Sequence, residues 1–130
     1  MIEFTQLHLL AGWSGMLMGA LSGAAMGLFF HRENWAGGYG SYPRRLLRLG
    51  HISFFGIGML NLLFGLSLQS VSLSVASAEI ASIGLLTAAV TMPLVCMMAA
   101  WHKPLRHFFV IPVLGVFAGI VPIVLGGLQS

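Results

Sequence analysis

Residues 7–30 read LHLLAGWSGMLMGALSGAAMGLFF, an apolar run whose only ionisable side chain is that of His8. Three more apolar runs of similar length follow, at residues 46–69, 78–100 and 107–128. A helix rises about 1.5 Å per residue and the hydrocarbon core of a bilayer is about 30 Å thick, so each run is long enough to cross it. We therefore predict an all-α protein, in which residues 1–130 form one membrane domain, a bundle of four transmembrane helices.

The composition supports this class of protein and excludes others. Hydrophobic residues make up 58% of the chain and charged residues 7%, whereas soluble domains carry about 25% charged residues. The chain has no Ser/His/Asp set, zinc-protease motif or pair of cysteines that we recognise as catalytic. We therefore expect no soluble catalytic module and no independent catalytic activity. The basic residues lie beside the apolar runs, so we also expect no nucleic-acid binding.

The basic residues predict the orientation in the membrane. All six flank the first and third connections between the apolar runs: Arg32, Arg44, Arg45, Arg48, Lys103 and Arg106. The N-terminus, residues 70–77 and the C-terminus have none. The positive-inside rule then places both basic connections in the cytoplasm and both termini on the other side, which suggests a bacterial inner (plasma) membrane. We expect Arg44, Arg45 and Arg48 to contact lipid headgroups or the acidic surface of a partner.

Glycines recur at helical spacing in three of the runs. Small residues mark the faces where transmembrane helices approach closely, because lipid provides little hydrophobic drive for helix association. The positions that we predict to pack are Gly15, Gly19, Gly23 and Gly27 in the first run, Gly58 and Gly65 in the second, and Gly115 and Gly119 in the fourth. We expect at least one of these stripes to meet another chain, within a larger membrane complex or a homo-oligomer.

His51 is the strongest candidate ligand. It shares a helix face with Gly58 and Gly65, so we expect it to point toward other helices, near the basic boundary. Imidazole suits haem iron, copper or zinc, and the rings of Phe54 and Phe55 could line a macrocycle. An equally plain alternative is a packed histidine bonded to Asn61 or to a backbone carbonyl.

Three further histidines lie near the same boundary. They are His31, His102 and His107, and each is a candidate second axial ligand or a solvated interfacial side chain. A metal site would combine His51 with His107.

Residues 48–56, RLGHISFFG, resemble the histidine-bearing helices of b-type cytochromes and of the haem–copper oxidase superfamily. In those helices an interfacial basic residue precedes a haem-ligating histidine that has glycine nearby. The resemblance covers one run of the four, implies haem b facing His51, and assigns no family. The four-span form with basic loops also resembles small membrane proteins of haem handling or oxidase assembly.

These observations favour a small integral membrane component of a respiratory-type redox complex, or an assembly factor for one. It would bind haem b or contact quinone through His51, surrounded by membrane lipid. Two alternatives stay open. One is a cofactor-free scaffold or oligomerising subunit, which would use the glycine stripes. The other is a small dimeric transporter or channel, in which Asn61 and Gln69 would line a path.

Overall fold

The computed structural model describes residues 2–128, and all regular secondary structure in that range is helical. The long helices are α1 (Ile2–Gly27), α2 (Tyr42–Ser67), α3 (Val75–Trp101) and α4 (Val110–Gly127). Two 3₁₀ segments, Trp35–Gly37 and Lys103–Phe109, lie in the connections that precede α2 and α4. The prediction of an all-helical chain with four helices long and apolar enough to span a membrane is confirmed.

α1, α2 and α3 each begin a few residues before the corresponding apolar run, and a serine cap starts α2 and α3. Ser41 precedes α2, and its hydroxyl accepts a hydrogen bond from the backbone N–H of Arg44 at 3.3 Å, with a proline in the first turn. Ser74 caps α3 in the same way, through the N–H of Ser77 at 3.1 Å. The fourth run differs. A 3₁₀ segment covers Lys103–Phe109, with Pro104 near its start, and α4 begins only at Val110.

The four helices pack in chain order. α1 packs against α2, α2 against α3, and α3 against α4. α1 has only slight contact with α3, and within residues 2–128 it has none with α4. The bundle is therefore open, with α2 and α3 in the middle and with α1 and α4 exposing most of their surfaces on its two flanks.

The hydrophobic core lies toward the end of the molecule that carries no Lys or Arg. Phe64 of α2 and Leu85 of α3 are its largest members, each 1% exposed. Small side chains in the same cluster allow α2 and α3 to come close together around Phe64 and Leu85. The other buried members of this cluster are Leu68, Ala78 and Ala81.

α1 and α2 approach closely along the glycine-bearing face of α1. A Cβ built at Gly15 would lie 3.2 Å from the Cα of Gly58, and one built at Gly58 would lie 3.0 Å from the carbonyl oxygen of Gly12. Nearer the N-terminus, a Cβ at Gly65 would lie 3.2 Å from the carbonyl oxygen of Thr5. Backbone thus lies against backbone over much of this interface.

Aromatic rings of α2 fill the rest of the same seam. The ring of Phe55 occupies the space beside Gly19, and the ring of His51 occupies the space beside Gly23. Gly27 lies past the contact, since a Cβ there would meet nothing within 4 Å. The glycine stripe of α1 is therefore used inside the chain, against α2.

α3 and α4 form the second close seam. Cβ atoms built at Gly84 and at Gly115 would each lie 2.6 Å from the other residue's carbonyl oxygen. One turn further along α4, the side chain of Leu85 fills the space beside Gly119. The glycine stripe of α4 is therefore also used inside the chain, and neither stripe is left as a free surface for a partner.

Candidate functional site

His51 lies in the α1–α2 seam and is half-buried. Its Nδ1 lies 3.1 Å from the hydroxyl oxygen of Ser22 on α1. That hydroxyl donates its single hydrogen to the carbonyl oxygen of Gly19 at 3.0 Å, so Nδ1 is the donor in the bond to Ser22. A neutral ring with hydrogen on Nδ1 carries a lone pair on Nε2. Within residues 2–128 that nitrogen has no hydrogen-bond partner.

The position of the imidazole depends on a glycine opposite it. A Cβ at Gly23 would lie 2.6 Å from Cε1 of His51 and 3.2 Å from Nε2, so a larger residue there would displace the ring. Phe55 holds the other side, with its ring edge-on at a centroid distance of 5.6 Å. The imidazole of His51 is thus held between Gly23 of α1 and Phe55 of its own helix.

The two phenylalanines that follow His51 point into different surroundings. Phe55 packs against His51 and Gly19, whereas Phe54 lines a groove between α1 and α3. This groove has a volume of about 450 Å³ and is almost wholly apolar; Ser14 and Gly15 of α1 and Pro93 of α3 also line it. The two rings therefore do not enclose a common slot beside His51.

The other histidines predicted for this end are not gathered around His51. His31, His102 and His107 are all exposed. His107 belongs to the segment Lys103–Phe109, which packs against α3 and α4 and, within residues 2–128, makes no close backbone contact with α2. The described residues also contain no group of three or more His, Cys, Asp or Glu side chains able to hold a metal ion.

This donor set does not fit a haem held between two histidines. His51 offers one imidazole nitrogen with a free lone pair, and the structure brings no second histidine beside it. The apolar groove, which has the volume of a ligand site, contains no histidine in its lining. The described residues therefore do not form the site expected for haem b or for a metal shared by His51 and His107.

A polar network that we did not predict lies near the opposite end. His8 is 0% exposed, and its Nδ1 lies 2.7 Å from Oδ1 of Asn61, which only accepts hydrogen bonds. Nδ1 therefore carries the hydrogen, and Nε2 accepts a bond from the hydroxyl of Ser82 at 2.8 Å. The amide nitrogen of Asn61 donates to the carbonyl oxygen of Ile57 at 2.9 Å, which fixes the amide orientation. Phe64 stacks edge-on against the imidazole at 4.5 Å.

This network, the His8–Asn61–Ser82 clasp, joins three helices. Its bonding order, hydroxyl to imidazole to carbonyl oxygen, is that of a hydrolase triad. Ser82 is only 3% exposed, however, and lies inside α3, where backbone N–H groups bond within the helix and form no oxyanion hole. The arrangement is therefore suited to holding helices together in an apolar interior and not to acyl transfer.

The clasp corrects one sequence-based alternative. Asn61 forms a hydrogen bond with His8 and not with His51. The partner of His51 is the hydroxyl of Ser22. By helix spacing, His8 shares a stripe of α1 with Gly12 and Gly15, and Asn61 lies beside the glycine-bearing face of α2. Ser82 carried no signal, since it is one of many serines in this chain and its role depends on the relative heights of α1 and α3.

The three arginines predicted to touch lipid or a partner have different environments. Arg44 is 3% exposed, and its guanidinium donates a 3.3 Å bond to the carbonyl oxygen of Glu33. It also lies within 6 Å of three rings in the first connection, those of Phe30, Trp35 and Tyr39. Its Nε is buried and has no hydrogen-bond partner among residues 2–128. The folded loop thus encloses Arg44 and leaves little of its side chain open to lipid headgroups or to a partner.

Arg45 and Arg48 remain nearer the surface. Arg45 is exposed, whereas Arg48 is half-buried with its guanidinium 4.4 Å from the centre of the Tyr39 ring. A guanidinium over an aromatic face is stabilised by the ring quadrupole.

Comparison with protein-family models, curated proteins and solved structures found no significant match for this chain.

Proposed function

We propose that the chain is an integral membrane protein whose four long helices span a bacterial inner membrane. Both connections that carry Lys and Arg, between α1 and α2 and between α3 and α4, would face the cytoplasm, with both termini on the other side. Support comes from the length and apolar character of the helices and from the position of all six basic residues at one end.

Within that membrane, we propose that the protein is a small component of a redox assembly and contacts a lipid-soluble quinol through His51. The observation that carries this proposal is the free Nε2 lone pair. The Ser22 hydroxyl fixes the hydrogen on Nδ1, so Nε2 is held as an acceptor in a half-buried position on a helix seam. A quinol hydroxyl is a donor of matching chemistry, and its ring could lie on apolar surface beside Phe55.

Quinol is preferred to haem because it requires only one imidazole. A hydrogen bond from a quinol hydroxyl needs a single oriented acceptor, whereas a haem b held by two histidines would need a second axial histidine beside His51. A haem held by one histidine would still need a slot for its macrocycle, and Phe54 and Phe55 do not enclose one. The cofactor-free scaffold is a weaker reading, since the glycine stripes are filled inside the chain. A polar path through Asn61 and Gln69 is also weaker, because Asn61 is engaged in the clasp and Gln69 is exposed.

The test is binding of a short-tailed quinol to the purified protein in nanodiscs, measured by calorimetry. His51→Phe keeps a flat ring but removes the acceptor. Loss of one hydrogen bond of about 0.5–1.5 kcal/mol predicts a 2- to 10-fold weaker Kd. Ser22→Ala keeps the imidazole but removes the group that fixes its tautomer, so it should also weaken binding. His107→Phe, at an exposed histidine, is the matched control and should bind as the parent does.

Three results would contradict the proposal. Equal quinol affinity for the parent and for His51→Phe would remove His51 from the site. A Soret band in protein expressed with added haem, lost in His51→Phe, would replace quinol by haem. If neither ligand binds and a stoichiometric membrane protein co-purifies with parent and His51→Phe alike, the scaffold reading takes its place.

A further inference from the structure

The end of the molecule that carries the loops between α1 and α2 and between α3 and α4 has a large excess of positive charge. It contains all six Lys and Arg residues, and Glu33 is its only acidic residue. No salt bridge forms anywhere between residues 2 and 128. Arg44 is enclosed by rings, and Arg48 bonds the carbonyl oxygen of Tyr39 at 3.4 Å. The charges left for an external anion are therefore those on more exposed side chains.

A groove at this end combines such charge with apolar surface. It has a volume of about 480 Å³ and is lined by Tyr42, Arg45, Leu46 and Leu49 of α2. Arg45 and Leu49 are exposed. From the connection to α4, the ammonium group of Lys103 reaches over the Tyr42 ring, 5.6 Å from its centre. The groove thus has one cation, Arg45, in its lining, and leucine side chains further along the helix. A second cation, Lys103, lies at its edge, over the ring of the lining residue Tyr42.

We propose that this groove, the Arg45–Lys103 groove, binds one anionic phospholipid. The phosphate would lie at the side chains of Arg45 and Lys103, and an acyl chain would run along Leu46 and Leu49 toward the middle of the membrane. Basic pockets beside transmembrane helices on the cytoplasmic side are suited to such headgroups. The inference rests on the membrane insertion proposed above, but it does not depend on His51 or on quinol.

Charge and shape together favour a phospholipid over a free anion. A free phosphate would use the two cations and leave the leucines of the groove without a partner. A phospholipid uses both parts of the groove. Tyr42 contributes in two ways, because its ring forms part of the groove and its face holds the Lys103 ammonium in position.

The experiment measures retention of phosphatidylglycerol by the full-length protein released from detergent micelles, using native mass spectrometry. Phosphatidylcholine is the neutral comparison lipid. One basic side chain near a membrane surface is worth about a fivefold change in affinity for anionic lipid. Arg45→Gln and Lys103→Gln should therefore each reduce phosphatidylglycerol affinity about fivefold, and the double variant about 25-fold. Leu49→Gln should weaken lipid binding without changing the charge.

The matched control is Arg106→Gln, which removes an exposed cation from the same end. Arg106 does not line the groove and, among the described residues, does not lie over the Tyr42 ring as Lys103 does. It should change the affinity less than twofold. An equal loss in Arg106→Gln would show a diffuse surface field and overturn the proposal, as would equal retention of the two lipids. Displacement of the lipid by millimolar inorganic phosphate would reduce the groove to an anion site and also overturn it. His51→Phe should retain lipid normally, so failure of one proposal is distinguishable from failure of the other.

Discussion

The contact between Gly84 and Gly115 offers the sharpest test of the packing. Gly84→Ala adds one methyl group where α3 and α4 have their backbones in contact. The new Cβ would lie 2.6 Å from the carbonyl oxygen of Gly115 and 3.0 Å from the Cβ of Ala118. Ordinary contact begins near 3.4 Å, so the helices would have to separate by about 0.8 Å at this point.

The cost of that separation depends on how rigid the contacted group, the backbone carbonyl of Gly115, is. A backbone carbonyl cannot rotate away as a flexible side chain can, and overpacking of this kind costs about 1–3 kcal/mol. Alanine recovers at most about 1 kcal/mol through its better helix propensity. We expect Gly84→Ala to lower the free energy of unfolding by about 1–2 kcal/mol. Gly115→Ala should do the same, because the geometry is reciprocal.

Gly56→Ala is the matched control. Gly56 is exposed within α2, and a Cβ there would meet nothing within 4 Å. The same chemical change should therefore leave stability unchanged or raise it by up to about 1 kcal/mol. The assay is reversible unfolding by sodium dodecyl sulfate in mixed micelles, followed by circular dichroism. Equal stability of the Gly84→Ala and Gly56→Ala variants would refute the close α3–α4 contact.

Two further predictions concern buried polar groups. Ser82→Ala removes the hydroxyl that bonds His8 and should lower the free energy of unfolding by about 0.6–1.7 kcal/mol in the same assay. The control is Thr91→Ala, whose hydroxyl bonds the carbonyl oxygen of Thr87 in its own helix, and it should lower that free energy clearly less. An equal loss in the two variants would count against the clasp. Arg44→Gln removes the cation enclosed by the loop rings. It should increase trypsin and chymotrypsin cleavage within residues 32–41 at least severalfold. Unchanged cleavage would show that Arg44 does not order this loop.

The sequence predicted which faces of the helices pack, but not what they meet. Glycines four residues apart mark a stripe on α1 because helix periodicity depends on local geometry alone. Whether Gly15 faces α2 or another chain depends on the relative height and rotation of two helices, which no local pattern contains. The same is true of Gly115, which was available to a partner by sequence and meets Gly84 in the fold.

The candidate site was predicted only in part, for the same reason. The position of His51 on a glycine-bearing face follows from spacing, whereas its bond to Ser22 depends on the register between α1 and α2. The clasp depends on the register of three helices at once. Arg44 and Arg45 are neighbours of identical type, and only the folded loop distinguishes the enclosed guanidinium from the exposed one.

The clasp also has a consequence for the order in which the protein's interactions form during synthesis. His8 precedes Asn61 by 53 residues and Ser82 by 74, so the ribosome delivers the imidazole long before its two partners. Until α3 has been translated, Nε2 of His8 must find its hydrogen-bond partner elsewhere, in water or in another protein. Completion of the clasp is thus a late step of synthesis, and in a nascent chain arrested before residue 82 the His8 ring should bond Asn61 but lack its partner on α3.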